Sequence, residues 1–377
     1  MPITIGVPRE KAPGEARVAL VPEVVKRLVK KGLDVVLESG AGDSAHFSDD
    51  EFSTAGATVS DRSAVLSSDV VVGVQALPKE DVARMRQGAV YIAFMNPLED
   101  PSFSQVLADR SVTGLAMEMV PRISRAQKMD ALSAMANIGG YKAVLAAASI
   151  LPRFFPLLTT AAGTVKPASV LVLGAGVAGL QAIATARRLG ARVSAYDIRD
   201  AVKEQIESLG ATFVELDFGV SEMEDKSGYA KALTQEKAEK QVELLVPVIA
   251  KSDVVITTAL IPGRPAPLLI TEDAVRGMSS GSVIIDMAAS NGGNCALTVK
   301  GETVSRHGVT IVGTLNFPSQ MAVHASELYS RTVFALLESL LDEDKVNIDM
   351  EDEVTAGACV AHGGEVVNER VKSLLQG

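Results

Sequence analysis

Cysteine is nearly absent from this chain. Cys295 and Cys359 are the only two in 377 residues, and no C-x-x-C pair exists. Two thiols cannot build a disulfide framework, so a reducing, cytosolic compartment fits best. Basic runs are missing too. No run of Lys or Arg exceeds two residues and the formal net charge is −10, which excludes the electrostatic footprint of a nucleic-acid binder. Histidine is scarce. His46, His307, His324 and His362 stand in no motif with a carboxylate or cysteine, and no two have metal-ligand spacing. Each reads as a surface or loop residue, and no metal is expected. "MPITIGVPREK" is too short and too soon charged for a signal peptide. One charge-free stretch, Pro167 to Ala186, is about as long as a membrane span. It contains Gly174, Gly176, Gly179 and Gln181, and it divides naturally into strand, turn and helix.

What is present points to a layered α/β protein. Hydrophobic residues make up 47% of the chain, enough for a substantial core, and the length favours two domains. Residues 1–130 alternate short apolar runs with polar helical segments. "ITIGVP", "LDVVLE", "DVVVGVQ" and "AVYIAFM" read as strands, the last two continuous enough for a buried parallel sheet. "PEVVKRLVKKG" reads as an amphipathic helix with Val24, Leu28 and Val29 on one face and Gly32 as its stop. A long Ala-rich helix is expected from Ala131 to about Phe155, broken near Pro152 and Pro156. A second α/β unit follows, with strands at "TFVEL", "DVVITTAL", "SVIIDMA" and "VTIVGT". After Phe317 the pattern turns helical again, at "SELYSRTVFALLESLLDED". The segment Val220 to Lys240 is charged and weakly patterned, and reads as a mobile excursion.

"LVLGAGVAGL" places G-x-G-x-x-G at Gly174, Gly176 and Gly179. The bare motif is weak, but its context is right: a strand precedes it and a helix follows. The next strand, "RVSAYD", ends in Asp197, 18 residues past Gly179. Gly174 permits the tight turn, Gly176 lets a pyrophosphate approach the backbone, and Gly179 lets the helix pack on the strand. Asp197 would accept from the adenosine ribose and repel a 2′-phosphate, which favours NAD(H) over NADP(H). Arg199, two residues on, weakens that preference. The expected fold class is therefore α/β, two Rossmann-like doubly wound domains joined by long helices. The expected boundaries are residues 1–135 plus 320–377 for a discontinuous N-terminal domain, and residues 136–319 for a Rossmann NAD(H)-binding domain.

Several stretches together resemble one family. "GVPREKAPGEARVALVPEVVKRLVKKG", "PRISRAQKMDALSAMANIGGYKAV", "GAGVAGLQAIATARRLGARVSAYDIR" and "TTALIPGRPAPLLIT" are similar to the NAD(H)-binding domain of the proton-translocating nicotinamide nucleotide transhydrogenases. The PRISRAQ-x-MD-x-LS stretch belongs to that family, whereas the glycine fingerprint and the N-terminal motif are shared with alanine dehydrogenases. The resemblance implies direct hydride transfer between NAD(H) on this chain and NADP(H) on a partner. That is an NAD(P)⁺ transhydrogenase of the Si-specific/Re-face type, coupled to proton translocation and active only with its partner. The implied partners are a membrane-spanning alpha chain, a beta subunit carrying the NADP-binding domain, and a second copy in a homodimer. The chain would sit peripherally at the cytoplasmic face of the inner membrane. Ending at Gly377 without a membrane span, it resembles the split form, or that domain taken by itself.

The resemblance assigns Arg122, Gln127 and Asp130 to placing the nicotinamide, with Ser133 one turn into the helix. Read from the residues alone, Asp130 is instead a helix N-cap, and both roles can coexist. The resemblance also implies cofactor contacts at Arg125, Val177, Ile198, Arg199, Gly228, Tyr229 and Leu260, with Ala259 beside Leu260. Tyr229 would close over the nucleotide and exclude water. Arg125 and Lys128 read equally as solvated charges, and Cys295 as inert. Alanine dehydrogenases need a cation for the substrate carboxylate and an acid/base near neutral pH. Their Lys, His and Asp align with Gly73, Phe94 and Ser290, leaving only Arg17. A self-sufficient amino-acid dehydrogenase and a non-enzymatic NAD sensor remain the alternatives.

Overall fold

The computed structural model describes residues 2–217, 234–261, 263–342 and 345–376. By contact the chain divides into two compact units, Met1–Met135 with Pro318–Gly377, and Ala136–Phe317.

The first unit is built on an eight-stranded sheet. Its six N-terminal strands are Thr4–Val7, Asp34–Glu38, Thr58–Ser60, Val70–Val72, Val90–Ala93 and Thr113–Ala116. They are parallel, in the order 3-2-1-4-5-6 by their position in the chain, the doubly wound arrangement. Val70, Val71 and Val72 are wholly buried, as expected for a strand covered on both faces. The helix Pro22–Lys30 has Pro in its first turn, Glu23 near its positive end, and Arg27 and Lys30 near its negative end. Its fully buried stripe is Val24, Val25 and Leu28, with Val25 in the place expected for Val29. The helical reading after Phe317 holds for Ala322–Leu340 but misses a strand. Cys359–His362 pairs antiparallel with Thr113–Ala116 and turns back through Gly363 and Gly364, both at positive φ, to Glu365–Val366. Such a Gly-Gly turn is a hairpin signal, hidden here because the strand itself spans only four residues.

The second unit carries a seven-stranded sheet. Its order begins Thr212–Phe213, Arg192–Tyr196, Ser169–Leu173, Val254–Thr257, Val283–Asp286, Val309–Val312, all parallel. Thr303–Arg306 closes the far edge antiparallel. The expected strand "TFVEL" shrinks to the edge pair Thr212–Phe213. The long helix runs Ala131–Ile150 and stops short of Phe155, because Pro152 disfavours helical geometry at the residue before it. Ala143, Val144 and Ala147 of this helix lie in the unit's core with Ile183 and Ala186 of the helix Val177–Arg188. A Cβ on Gly140 would stand 2.1 Å from the Ala178 carbonyl oxygen, so this close packing requires glycine. Leu158–Thr160 and Gly163–Val165 form a separate two-stranded hairpin.

Candidate functional site

In the second unit the glycine turn leaves the carboxyl end of Ser169–Leu173, where the strand order reverses and doubly wound sheets bind ligands. Two of its glycines serve the protein itself. Gly174 sits at φ +96°, and its Cβ would lie 2.8 Å from Thr258 Oγ1; a Cβ on Gly179 would lie 1.9 Å from the Gly174 carbonyl oxygen. Gly176 differs. Its φ of −73° and ψ of −169° suit any residue, and a Cβ there would meet nothing within 4 Å. The protein makes no demand for glycine at this position, but a ligand lying on the backbone would. The helix Val177–Arg188 starts here with no side-chain cap, so its first N–H groups and positive dipole end face the same space. That donor set fits a pyrophosphate.

Asp197 is buried at the end of its strand. Its Oδ2 accepts from Ala175 N at 2.7 Å and Arg199 Nη2 at 2.9 Å, and its Oδ1 from Arg199 N and Nε, both at 2.9 Å. The carboxylate therefore anchors the glycine turn as well as standing where an adenosine ribose would lie. Arg199 is folded onto Asp197, which occupies a guanidinium that could otherwise receive a 2′-phosphate. Val177 and Leu260 are apolar and exposed on this unit, and Ile198 is half-buried. Thr258 Oγ1 donates to the Gly174 carbonyl at 3.0 Å, tying the turn to the end of Val254–Thr257.

In the first unit a pocket of about 260 Å³ is lined by Pro121, Arg122, Ile123, Ser124, Ala126, Gln127, Asp130 and Ser133. Buried Ala126 and Met129 anchor the 3₁₀ turn Ser124–Met129, leaving Gln127 exposed. Asp130 accepts from Ser133 N at 2.8 Å and Ser133 Oγ at 2.6 Å. That is the N-cap geometry read from the residues alone, and it engages the Ser133 hydroxyl. Arg125 is not among the lining residues; its guanidinium pairs with Asp352 at 2.6 Å. Lys128 is exposed. Gly228 and Tyr229 lie outside the described residues.

A buried polar cluster, unforeseen from the residues alone, stands at the first unit's own strand-order reversal. Arg17 is 4% exposed and donates through Nε and Nη2 to both oxygens of Glu15, at 2.7 and 2.6 Å. Gln75 Nε2 donates to the same carboxylate at 2.9 Å. Glu10 accepts from Val74 N at 2.6 Å and Gln75 N at 3.2 Å. Tyr329 donates to the Gly73 carbonyl and Tyr91 to the Gln75 carbonyl. Burial, with the Glu15 charge beside it, pushes the Glu10 carboxyl up to about 7. Burial also opposes ionisation of Glu15, but the hydrogen bonds and charge of Arg17 outweigh it and hold that carboxyl at about 2. Burial likewise raises Glu118 to about 7. Glu118 Oε1 accepts from Met95 N and Asn96 N, while Oε2 is buried without a hydrogen-bond partner. The signal available in the sequence was the pair of Glu residues flanking Arg17 in "PREKAPGEARV".

One histidine departs from its expected isolation: His307 Nε2 lies 2.8 Å from Glu272 Oε1, a surface pair. Among the described residues no group of three or more His, Cys, Asp and Glu is placed to hold a metal, and no helix is long and apolar enough to cross a membrane. Burial raises the Cys295 thiol, against thiolate reactivity.

The chain matches the alanine dehydrogenase/PNT N-terminal domain over residues 6–139 and the alanine dehydrogenase/PNT C-terminal domain over residues 143–369. The first of the split alpha-subunit chains of the NAD(P) transhydrogenase of Rhodospirillum rubrum is 47% identical over 374 residues, covering 97% of each chain. The solved transhydrogenase from Sinorhizobium meliloti is 41% identical with a TM-score of 0.86, covering 97% of this chain and 99% of that one. Alanine dehydrogenase 2 of Staphylococcus aureus is 31% identical over 323 residues, covering 83% of this chain and 81% of its own.

Proposed function

The chain belongs to the alanine dehydrogenase/PNT family, and from that premise we propose that it is the NAD(H)-binding component of a nicotinamide nucleotide transhydrogenase. Bound NADH supplies a hydride that passes, with its electron pair, from its C4 to C4 of NADP⁺ held by a partner subunit. No proton is handled at the reacting carbons, so the protein's task is to position the ring and exclude water. The turn Gly174–Gly179 and the uncapped helix behind it take the pyrophosphate. Asp197 takes the adenosine ribose, with Val177, Ile198 and Arg199 around it. In the first unit Arg122 and Gln127 orient the nicotinamide, with Asp130 and Ser133 locked in a cap that holds the loop in shape. Gln127 both donates and accepts.

The observation that carries this reading over amino-acid oxidation is what fills the acid/base positions. Gly73 is hemmed by Tyr91 Oη, which lies 3.0 Å from the place of its Cβ. Phe94 is a buried core aromatic, its ring 5.2 Å from that of Tyr329. No His or Lys stands where a keto acid would need one.

The test is reconstitution. The isolated chain should bind NADH yet show little turnover, and it should gain NADH-to-NADP⁺ hydride transfer when mixed with an NADP-binding transhydrogenase partner. Gln127→Asn, shorter by one methylene, should lower that rate by about tenfold through misplacement of the ring. Pyruvate- and ammonia-dependent NADH oxidation by the chain alone would refute the proposal.

The same proposal includes attachment to the cytoplasmic face of a membrane through partner subunits, and a homodimer. What supports the dimer is the lone hairpin with its neighbours: Phe154 is 53%, Leu157 60% and Val165 44% exposed. Leu157→Asp should shift sedimentation from dimer to monomer without changing the melting temperature. A monomeric unsubstituted chain would remove this component of the proposal.

A further inference from the structure

Beyond the fingerprint, the second unit holds a buried polar residue whose contacts all bear on the loop beside the cofactor turn. Asn294 is 0% exposed. Its Oδ1 accepts from Ala259 N at 3.2 Å, and its Nδ2 donates to the Ala259 carbonyl at 2.9 Å and the Pro267 carbonyl at 2.8 Å. The amide thus grips both polar atoms of one residue's backbone, as a neighbouring strand would. It does so two residues past the end of Val254–Thr257, where the sheet no longer pairs them. Its backbone carbonyl meanwhile accepts from Leu269 N and Ile270 N.

The placement of Asn294 is itself built. Gly292 and Gly293 sit at φ +99° and +83°. A Cβ on Gly293 would lie 2.7 Å from Asp286 Oδ2. Asp286 is fully buried and accepts from Thr257 Oγ1, Ala288 N, Cys295 N and Thr298 Oγ1. The stretch "DMAASNGGNC" is therefore folded around one carboxylate, and that fold delivers Asn294 to Ala259.

Sheet order says which portion of a dinucleotide this loop faces. The strand ending in Asp197 flanks Ser169–Leu173 on one side, and Val254–Thr257 flanks it on the other. With adenosine ribose at Asp197 and pyrophosphate on the turn between, the nicotinamide half extends over the end of Val254–Thr257. We propose that Asn294 is a positioning residue for that half, holding Ala259 so that exposed Leu260 is presented to the ligand. This rests on the NAD(H) reading above.

The experiment compares NADH with ADP, which lacks the nicotinamide half, by calorimetric titration of the full chain. Asn294→Asp keeps the acceptor for Ala259 N but turns an oxygen toward the Ala259 and Pro267 carbonyls. NADH binding should weaken about tenfold, from the loss of two neutral hydrogen bonds and the misplaced peptide, while ADP binding stays within about twofold. Asn294→Ser withdraws from Ala259 without burying a charge and serves if the first variant does not fold. Parallel weakening of NADH and ADP would mean a general structural role and overturn the proposal, as would no change in either. Failure of the unsubstituted chain to bind NADH would overturn the cofactor reading itself, and this one with it.

Discussion

Gly176→Ala should fold and melt as the unsubstituted chain does, yet lose NADH affinity by about 10–100-fold. Nothing in the protein lies within 4 Å of the added methyl, and the backbone conformation there is ordinary. Native stability should therefore change little; Ala also restricts the unfolded chain more than Gly. The methyl would stand on the pyrophosphate side of the helix N-terminus and hold the phosphates off the N–H groups. Hydrogen bonds to a charged partner contribute about 1.5–3 kcal/mol each, so losing one is about a 10–100-fold effect. Gly179→Ala should do the opposite. Its Cβ would stand 1.9 Å from the Gly174 carbonyl oxygen, so helix and strand must separate. Such overpacking costs about 1–3 kcal/mol or more, and the variant should melt early with or without ligand. Thermal melting and NADH titration of both variants check this. A Gly176→Ala chain that binds NADH normally would show that the turn is not a phosphate seat.

The second large effect is a pH dependence with an unusual sign. Most buried carboxylates are paired and stabilise above their pKa. Glu118 is raised to about 7 because burial outweighs the two N–H groups it accepts from. Its unfolded counterpart titrates near 4.5. Between those values the folded state holds a proton that the unfolded state has released. Its contribution is therefore fully present below about pH 4.5 and is lost as pH rises through about 7. At about 1.4 kcal/mol per unit, a displacement of roughly 2.5 units sets an upper bound near 3 kcal/mol. Glu118→Gln keeps an oxygen for Met95 N and Asn96 N and cannot ionise. It should match the unsubstituted chain at pH 4.5 and melt on the order of 5–10 °C higher at pH 8. Glu10→Gln should gain less, although Glu10 is also raised to about 7. Both Glu10 oxygens accept from backbone N–H groups, so an amide would turn a donor toward one of them. Melting curves across this range decide it, and a difference independent of pH would sink the account.

Both features show where local reading stops. The α/β alternation of "DVVVGVQ" and "AVYIAFM" was legible because a strand covered on both faces must be apolar throughout. The short final strand was not legible, because four residues carry too little pattern, and its partner, Thr113–Ala116, lies far away in the chain. The pocket loop was legible as a polar stretch before an Ala-rich helix, and the capping role of Asp130 could be read from its position. The pairing of Arg125 with Asp352 could not, since nothing near either residue announces the other.

What the sequence determined by itself is what short-range chemistry sets: the run of strands and helices, the glycine spacing, the acidic residue after the second strand, and the absence of a keto-acid acid/base. What only the tertiary structure decided is which groups lose their water and to whom. Gly174, Gly176 and Gly179 are identical in one dimension. Packing shows that two of them satisfy the protein and one leaves room for a ligand. Glu10, Glu15 and Glu118 are equally acidic in the chain, and long-range burial and pairing separate them across the pH scale. Periodicity is a property of neighbours in sequence, whereas desolvation is a property of neighbours in space.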